Sequence, residues 1–278
     1  TPGKNERIGN LYRTSDWAEK GPGGILINPK PWSEVQKHFE FLPELEALRP
    51  QVKSAAQRER FDYWLYTLRY NREAARVGCL LGELEAAAKE MTFESKTERR
   101  QQLAQRALSL KGELEGAWGQ MVTLHLLTVN TPGALGTIAN LEQHNLLNLR
   151  RIGKYDSLLT AVLGELPPSG LWKDYRGETR LIVPTRRSVL EKGEPLRLQA
   201  LVLSAAPAES VTLFWRPLGQ KHFKQQPFRH VARSVYRAEL PAAQMGGDIE
   251  YYLQARADGK VLNFPVTAPE TNRTVIVW

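Results

Sequence analysis

A dense group of polar side chains surrounds a turn with proline and glycine at residues 130–133. Amide, carboxylate and imidazole groups in this stretch suit hydrogen bonding to sugar hydroxyls or to a neighbouring domain. The candidate contact residues are Asn130, Asn140, Glu142 and His144. A structural interpretation competes, because Thr131 is also a good N-cap for a helix with Pro132 at its first position. Loop polar residues serve caps and turns more often than ligands, so the structural interpretation is favoured.

The segment 61–72 is rich in aromatic residues and adds two further candidates, Arg69 and Tyr70. Apolar residues at helical spacing predict that Trp64 and Leu68 lie on the buried stripe of a helix. Arginine and tyrosine side chains suit hydrogen bonding and stacking with carbohydrate, but they suit an interface or a core as well. Packing in a core or interface is the favoured interpretation.

Aromatic residues near the C-terminus form another candidate sugar-binding face. They are Phe214, Trp215, His222, Phe223, Phe228 and Tyr236. Strand alternation places Leu213 and Trp215 on one side and Phe214 on the other, which assigns part of this set to a core. Because β-sandwiches bury aromatic residues, packing is favoured over ligand binding.

The sequence carries no motif of a self-contained active site. There is no glycine-rich phosphate loop, no His-Glu-x-x-His and no Gly-x-Ser-x-Gly. The five histidines are widely separated. Cys79 lies in an apolar helical run, which predicts a buried thiol rather than a nucleophile. No catalytic residue, metal or cofactor is therefore expected.

Charge and hydropathy argue against two further classes of protein. The chain has 38 basic and 30 acidic residues, and the net charge of +8 is spread along its length. Because nucleic-acid binding needs that charge concentrated on one face or in one tract, no nucleic-acid partner is expected. No run of 18 apolar residues occurs, so no membrane-spanning helix is expected.

The elements that position the candidate residues change character along the chain. Residues 1–30 carry turn formers around one apolar run and predict an extended arm that lies on another element. Residues 31–152 have helical periodicity and predict a bundle of long helices. The predicted helices cover 31–48, 51–91, 97–129 and 134–151, and the second and third form an antiparallel pair.

Beyond the bundle, residues 153–178 lack sustained periodicity and predict a connection between domains. Residues 179–278 then alternate with a period of two, which is typical of antiparallel strands. The predicted strands cover 180–183, 196–202, 211–215, 235–238, 249–253 and 274–278. About 100 residues of this kind indicate an immunoglobulin-like or fibronectin-like β-sandwich. The predicted fold class is thus a long-helix bundle followed by an antiparallel β-sandwich.

Several stretches together resemble the C-terminal region of large secreted bacterial glycoside hydrolases. They are Phe61-Asp62-Tyr63-Trp64 with Arg69-Tyr70, Asn130-Thr131-Pro132-Gly133-x-x-Gly136-Thr137-Ile138-Ala139-Asn140, Phe214-Trp215-Arg216-Pro217-Leu218-Gly219 and Phe264-Pro265-Val266-Thr267-Ala268-Pro269-Glu270. In such enzymes the catalytic carboxylates commonly sit on an upstream barrel, and this sequence has no barrel. The resemblance implies a secreted or periplasmic bacterial protein whose partners are polysaccharide or oligosaccharide and a catalytic domain of the same enzyme upstream of Thr1.

These observations predict a non-catalytic accessory portion of a carbohydrate-active enzyme that degrades polysaccharide. Its helical domain would support or edge the substrate cleft and dock to the catalytic domain, and its sandwich would be structural or weakly sugar-binding. The alternative is a stand-alone carbohydrate- or protein-binding module with no enzymatic partner. A chain that is catalytic alone would need two carboxylates about 5–10 Å apart in a pocket.

Overall fold

The computed structural model describes residues 25, 27–136, 152–172 and 174–278. These residues form two compact units, each assembled from separate segments of the chain. The helical unit takes in described residues of 25–49, 64–128, 136 and 152–172. The β unit takes in 50–63, 129–135 and 174–278.

The chain enters the helical unit through short helices, so the single helix predicted over 31–48 is wrong. In order these are α1 (Trp32–Val35), a 3₁₀ helix (Gln36–Phe39), α2 (Leu42–Leu48) and a 3₁₀ turn (Arg49–Gln51). Pro43 explains the division. Proline lacks an N–H and its ring clashes with the carbonyl four residues earlier, so it is tolerated only in the first turn of a helix. The first turn of α2 is where Pro43 lies.

Two long helices, α3 (Ala55–Phe93) and α4 (Thr97–Leu126), form the scaffold of the helical unit. Ion pairs join α3 to α4 at Glu90–Arg99, Glu83–Arg106 and Arg76–Glu113. The residue numbers fall along α3 as they rise along α4, so the two helices are antiparallel. The predicted pair of long antiparallel helices is confirmed.

The buried stripe of α3 agrees with the predicted periodicity except at Trp64. Its buried members include Leu65, Ala75, Cys79, Leu80, Leu84 and Ala87. The Trp64 side chain is 63% exposed, so its prediction as a core residue is wrong. The adjacent residues Leu65 and Tyr66 are buried, and Tyr66 packs against Leu124 and Leu127 at the end of α4. The buried side of α3 at this level therefore runs through Leu65 and Tyr66 rather than through Trp64.

Residues 27–29 of the predicted arm lie across α3. The backbone N–H of Asn28 donates a hydrogen bond to the carbonyl oxygen of Gly78 at 2.9 Å. A β-carbon built at Gly82 would stand 2.0 Å from the carbonyl oxygen of Asn28. The close approach of the arm to the helix therefore requires glycine at position 82.

The predicted connection begins with structure that packs on α4. A 3₁₀ turn (Gly153–Tyr155) leads into α5 (Asp156–Leu163). Lys111 on α4 pairs with Asp156 at the start of α5, with 2.6 Å between Nζ and Oδ1. Leu159 of α5 is fully buried. Residues 153–163 are thus part of the helical unit and not a bare linker.

The chain after α5 is also held on α4, through a buried carboxylate. Glu115 is 5% exposed and accepts hydrogen bonds from Ser169 Oγ at 2.9 Å and from the N–H of Gly170 at 2.7 Å. One turn further along α4, a β-carbon at Gly119 would stand 2.5 Å from the Trp172 indole. The indole therefore occupies the space that glycine leaves free.

Within residues 174–278, ten strands form two sheets. They are β1 (Arg180–Ile182), β2 (Val189–Leu190), β3 (Leu196–Leu203), β4 (Ser210–Pro217), β5 (Lys224–Pro227), β6 (Arg229–Ala232), β7 (Val235–Leu240), β8 (Ile249–Ala257), β9 (Lys260–Phe264) and β10 (Arg273–Val277). A short helix, α6 (Ala242–Met245), separates β7 from β8. One sheet has the order β1-β3-β7-β6, and the other has the order β2-β10-β8-β4-β5 with β9 also paired to β8. Every pair is antiparallel except β2 with β10.

Both sheets contribute to one hydrophobic core. The four-stranded sheet supplies Leu196, Leu198 and Ala200, and the larger sheet supplies Leu213, Trp215, Tyr251 and Leu253. All six strands predicted from alternation are confirmed. The strands that the sequence pattern does not predict, β2, β5, β6 and β9, have two to five residues and are largely exposed, so they show no alternation.

Candidate functional site

Arg69 and Tyr70 both make contacts inside the helical unit. The Nε of Arg69 donates to Glu46 Oε1 at 2.7 Å, and this hydrogen bond lowers the pKa of the Glu46 carboxyl. The Tyr70 ring stacks on His125 of α4, with 4.7 Å between ring centroids. Tyr70 also packs against a small cluster that contains Tyr66 and Leu124. The favoured interpretation of these residues as packing residues agrees with these contacts.

The turn at 130–133 has the predicted cap. Thr131 Oγ1 accepts a hydrogen bond from the N–H of Ala134 at 3.2 Å, and residues 132–136 are helical. The Asn130 side chain is exposed, and its backbone carbonyl accepts a hydrogen bond from Arg186 of the same unit. The other three candidates, Asn140, Glu142 and His144, lie outside the described residues, as does the remainder of the helix predicted over 134–151.

The aromatic candidates of the β unit divide between the core and the outer surface. Trp215, Phe228 and Tyr236 belong to the core, whereas Phe214 lies on the opposite face of β4, as alternation predicts. The Phe214 ring stacks on Tyr252 at 4.6 Å between centroids, and Phe223 meets Tyr252 edge-on at 5.1 Å. Three aromatic rings thus cluster on the outer face of the larger sheet.

The polar groups beside these rings form hydrogen bonds with one another. Arg216 donates to Glu250 Oε2 at 2.9 Å, and Asn272 donates to Glu250 Oε1 at 2.7 Å. Burial opposes ionisation of Glu250, but these two hydrogen bonds outweigh it and lower its pKa. The Arg216 guanidinium also lies 4.1 Å from the centroid of the Phe223 ring. Tyr252 is buried, so a ligand could reach only the half-buried Phe214 and Phe223 rings of this cluster.

A groove of about 570 Å³ is lined mainly by residues of the four-stranded sheet, together with residues of β5 from the larger sheet. Alternation along β3 directs Leu196, Leu198 and Ala200 into the core and leaves Arg197 and Gln199 on the outer face. Pairing with β7 places Glu239 opposite Arg197 and Arg237 opposite Gln199. The other lining residues are Thr185, Leu198, Gln226, Pro227, Arg229 and Ala238. We call this site the arginine groove.

The internal hydrogen bonds of the arginine groove leave part of its charge unneutralised. Arg197 Nε pairs with Glu239 Oε2 at 2.8 Å. Arg237 Nε donates to the neutral Gln199 amide at 3.3 Å. The Arg229 side chain makes no hydrogen bond or ion pair with any residue that the structure describes. Three arginines against one glutamate give the lining a net charge of +2.

Two further grooves are lined by fewer polar and charged side chains. One of about 580 Å³ lies along α3 and is mainly apolar, and its one carboxylate, Glu85, pairs with Lys154. The other, of about 450 Å³, is formed by the turn after β4 and the residues before β8, and Asp248 is its one carboxylate. The arginine groove also has a single carboxylate, Glu239. None of these three grooves holds the pair of carboxylates that glycoside hydrolysis uses.

No three His, Cys, Asp or Glu side chains among the described residues are placed to hold a metal ion. No described helix combines the length and apolar character needed to cross a membrane. Cys79 is buried and free, as predicted, and burial raises its pKa to about 12.

Comparison with known proteins finds no matching protein family and no significantly similar curated protein. The function of the chain is accordingly inferred from its own residues.

The sequence pattern did not single out the arginine groove. Two runs alternate between apolar and polar residues: Leu196-Arg197-Leu198-Gln199 and Tyr236-Arg237-Ala238-Glu239. The alternation indicates that the polar members of each run face outward. The sequence pattern does not show that β3 and β6 both pair with β7, which brings Arg197, Arg229 and Arg237 onto one surface. Alternation therefore predicts the face of each residue but not its neighbours across the sheet.

Proposed function

We propose that the chain is a non-catalytic accessory part of a carbohydrate-active enzyme, and that its β unit binds polysaccharide in the arginine groove. The observation that carries this proposal is the set of planar hydrogen-bonding groups on one sheet face: the guanidiniums of Arg197 and Arg237, the Gln199 amide and the Glu239 carboxylate. Sugar hydroxyls both donate and accept hydrogen bonds. Planar side chains with two donors or two acceptors match pairs of neighbouring hydroxyls.

The fold of the β unit supports the same proposal. We infer an immunoglobulin-like or fibronectin-like sandwich, because both sheets bury side chains in one core. A sandwich leaves the outer face of each sheet available to a ligand. The outer face of the larger sheet is occupied by its own aromatic and ionic contacts, whereas the face with the arginine groove is open.

The helical unit is assigned a supporting role, in which it edges the substrate cleft and docks to the catalytic domain. Arg69 and Tyr70 already contact Glu46 and His125, so the proposal moves the sugar contacts to the β unit. Contacts from Asn140, Glu142 and His144 stay a prediction. Secretion or periplasmic location, and a bacterial catalytic domain as partner, follow from the resemblance alone and belong to the proposal. The alternative is a stand-alone carbohydrate- or protein-binding module.

The test is calorimetric titration of the chain with a panel of soluble polysaccharides, together with an assay for released reducing ends. We expect binding to at least one polysaccharide and no hydrolysis. The variant Arg197→Ala/Gln199→Ala should weaken that binding about tenfold or more, because it removes hydrogen bonds from a charged group and an amide. The matched control Arg256→Ala/Gln220→Ala changes exposed residues outside the groove and should bind as the wild type does.

Two results would contradict the proposal. Equal binding by the groove variant and the control variant would place the ligand elsewhere. Hydrolysis at ordinary enzyme rates, abolished by one carboxylate substitution, would show that the chain is catalytic alone.

A further inference from the structure

We propose that the polysaccharide held in the arginine groove is acidic, and that Arg229 and Arg237 together bind its carboxylate or sulfate groups. This inference rests on the proposed function. Arg229 on β6 and Arg237 on β7 are direct cross-strand partners. The β-carbons of such a pair stand about 5 Å apart, and like charges in this position are destabilising. An anion bound between the two guanidiniums would relieve this repulsion.

Contacts within the β unit do not relieve this repulsion. The Arg237 side chain makes one hydrogen bond, at 3.3 Å, to a neutral amide, and the Arg229 side chain makes none to the described residues. Other arginines of the same unit, Arg187, Arg197 and Arg216, each pair with a glutamate at 2.8–3.0 Å. A single exposed arginine is ordinary, but two that face each other without an acidic partner in one groove form an anion site. Guanidinium groups bind carboxylate and sulfate oxygens through paired N–H donors.

Nucleic acid, a different class of polyanion, fits this groove poorly. Proteins that bind single strands combine a basic groove with aromatic side chains on which the bases stack. No aromatic residue lines the arginine groove, and Glu239 adds a negative charge to it.

An acidic peptide is also disfavoured by the position of the groove. An extended peptide binds best along a free strand edge, where its backbone completes the sheet. Arg197, Gln199, Arg237 and Glu239 lie on the two central strands β3 and β7, whose backbone groups are already paired on both sides, and among the groove arginines only Arg229 lies on an edge strand. Side-chain donors on a sheet face suit a ligand that offers hydroxyl and acidic groups along its length.

The experiment compares polygalacturonate with its fully methyl-esterified form, which has the same sugar backbone without the charge. Dextran sulfate and dextran form a second pair, which distinguishes sulfate from carboxylate as the anion. Titration of the whole chain at low salt should show at least about tenfold tighter binding to one acidic polymer than to its neutral counterpart, as expected for charge-assisted hydrogen bonds. Raising the salt concentration to ~0.5 M should reduce that difference, because exposed charges are then screened.

Arginine variants assign the effect to the groove. Arg229→Gln/Arg237→Gln should abolish the preference for the acidic polymer, and Arg256→Gln, an exposed arginine outside the groove, should retain it. Arg229→Lys/Arg237→Lys should keep only part of the preference, since lysine retains the charge but not the paired donors.

The remaining outcomes separate this inference from the proposed function. Equal binding of acidic and neutral forms, lost in Arg197→Ala/Gln199→Ala, overturns the acidic ligand and leaves polysaccharide binding standing. No binding to any polysaccharide overturns both. Binding of polyglutamate or of a single-stranded oligonucleotide as tightly as the acidic polysaccharide also overturns the inference, because the groove would then select charge alone.

Discussion

A single added carbon at position 82 should disturb the helical unit, because the arm crosses α3 there. The β-carbon of Gly82→Ala would stand 2.0 Å from the carbonyl oxygen of Asn28, which is a backbone atom that cannot rotate away. We expect the substitution to lower the free energy of unfolding by about 1–3 kcal/mol, as overpacking does. The measurement is urea unfolding followed by circular dichroism.

The control is Gly112→Ala on α4, where no atom lies within 4 Å of the new β-carbon. Alanine favours the helix by about 0.5–1 kcal/mol at such a site, so this variant should be more stable than the wild type. A stabilised Gly82→Ala protein would show that the arm does not lie on α3.

Glu73 should make stability fall as the pH rises from acid towards neutral. Its side chain is 5% exposed, and burial raises its pKa above the ordinary 4.5 although Arg72 and Arg76 oppose the shift. The folded state therefore holds the proton more tightly than the unfolded state. The contribution of Glu73 is most favourable below pH 4.5 and is lost as the pH rises through the folded pKa.

Urea unfolding between about pH 4 and pH 7 measures this effect as a difference between wild type and Glu73→Gln. We expect the wild type to lose stability relative to the variant as the pH rises. Glu46 provides a control of opposite sign, since the hydrogen bond from Arg69 lowers its pKa. The wild type should therefore lose stability relative to Glu46→Gln as the pH falls. A pH-independent difference at Glu73 would contradict the assignment.

At the scale of elements, Glu115 should anchor the chain after α5 to α4. Glu115→Ala leaves the N–H of Gly170 and the hydroxyl of Ser169 without their buried acceptor. We expect a loss of about 1.5–3 kcal/mol in the free energy of unfolding, which is the usual contribution of a hydrogen bond to a charged group. Glu113→Ala, at an exposed position on the same helix, should cost about 0.5 kcal/mol or less. Equal effects of the two substitutions would argue against the anchor.

Limited proteolysis should distinguish the docked part of the predicted connection from the part that follows it. Lys154 lies in the 3₁₀ turn before α5, whereas Arg176 is exposed in a segment without helix or strand. Because proteases cut where the backbone opens locally, trypsin should cleave after Arg176 before it cleaves after Lys154. Earlier cleavage after Lys154 would show that α5 is not held on α4.

Local patterns in the sequence predict most of these elements but not their assembly. The sequence pattern identifies β1, β3, β4, β7, β8 and β10, and the Thr131 cap follows from residue type and position alone. Pro43 alone indicates a break between α1 and α2. Trp64 could not be predicted, because Trp64 and Leu65 both fit the apolar stripe and only tertiary packing decides which of them is buried. The arginine groove could not be predicted either, because only the pairing of β6 with β7 places Arg229 opposite Arg237.

At the scale of the whole molecule, the two units differ in how they use polar groups. In the helical unit, Arg69, Lys111 and Glu115 pair with groups of the same unit and hold its segments together. In the β unit, Arg229 and Arg237 face a groove without an acidic partner of their own. The binding role proposed for the β unit rests on these two arginines, because Arg187, Arg197 and Arg216 of the same unit pair with glutamates.

Arginine footprinting tests whether an acidic polysaccharide occupies the arginine groove. The whole chain is treated with phenylglyoxal, with and without saturating polygalacturonate or dextran sulfate, and the modified arginines are located by mass spectrometry. Because a bound ligand covers the guanidiniums that it contacts, Arg229 and Arg237 should be modified in the free chain and protected in the complex. Arg256, an exposed arginine outside the groove, should react equally in both. Protection of Arg256 with no protection of Arg229 and Arg237 would contradict the claim, as would equal modification of all three at saturation.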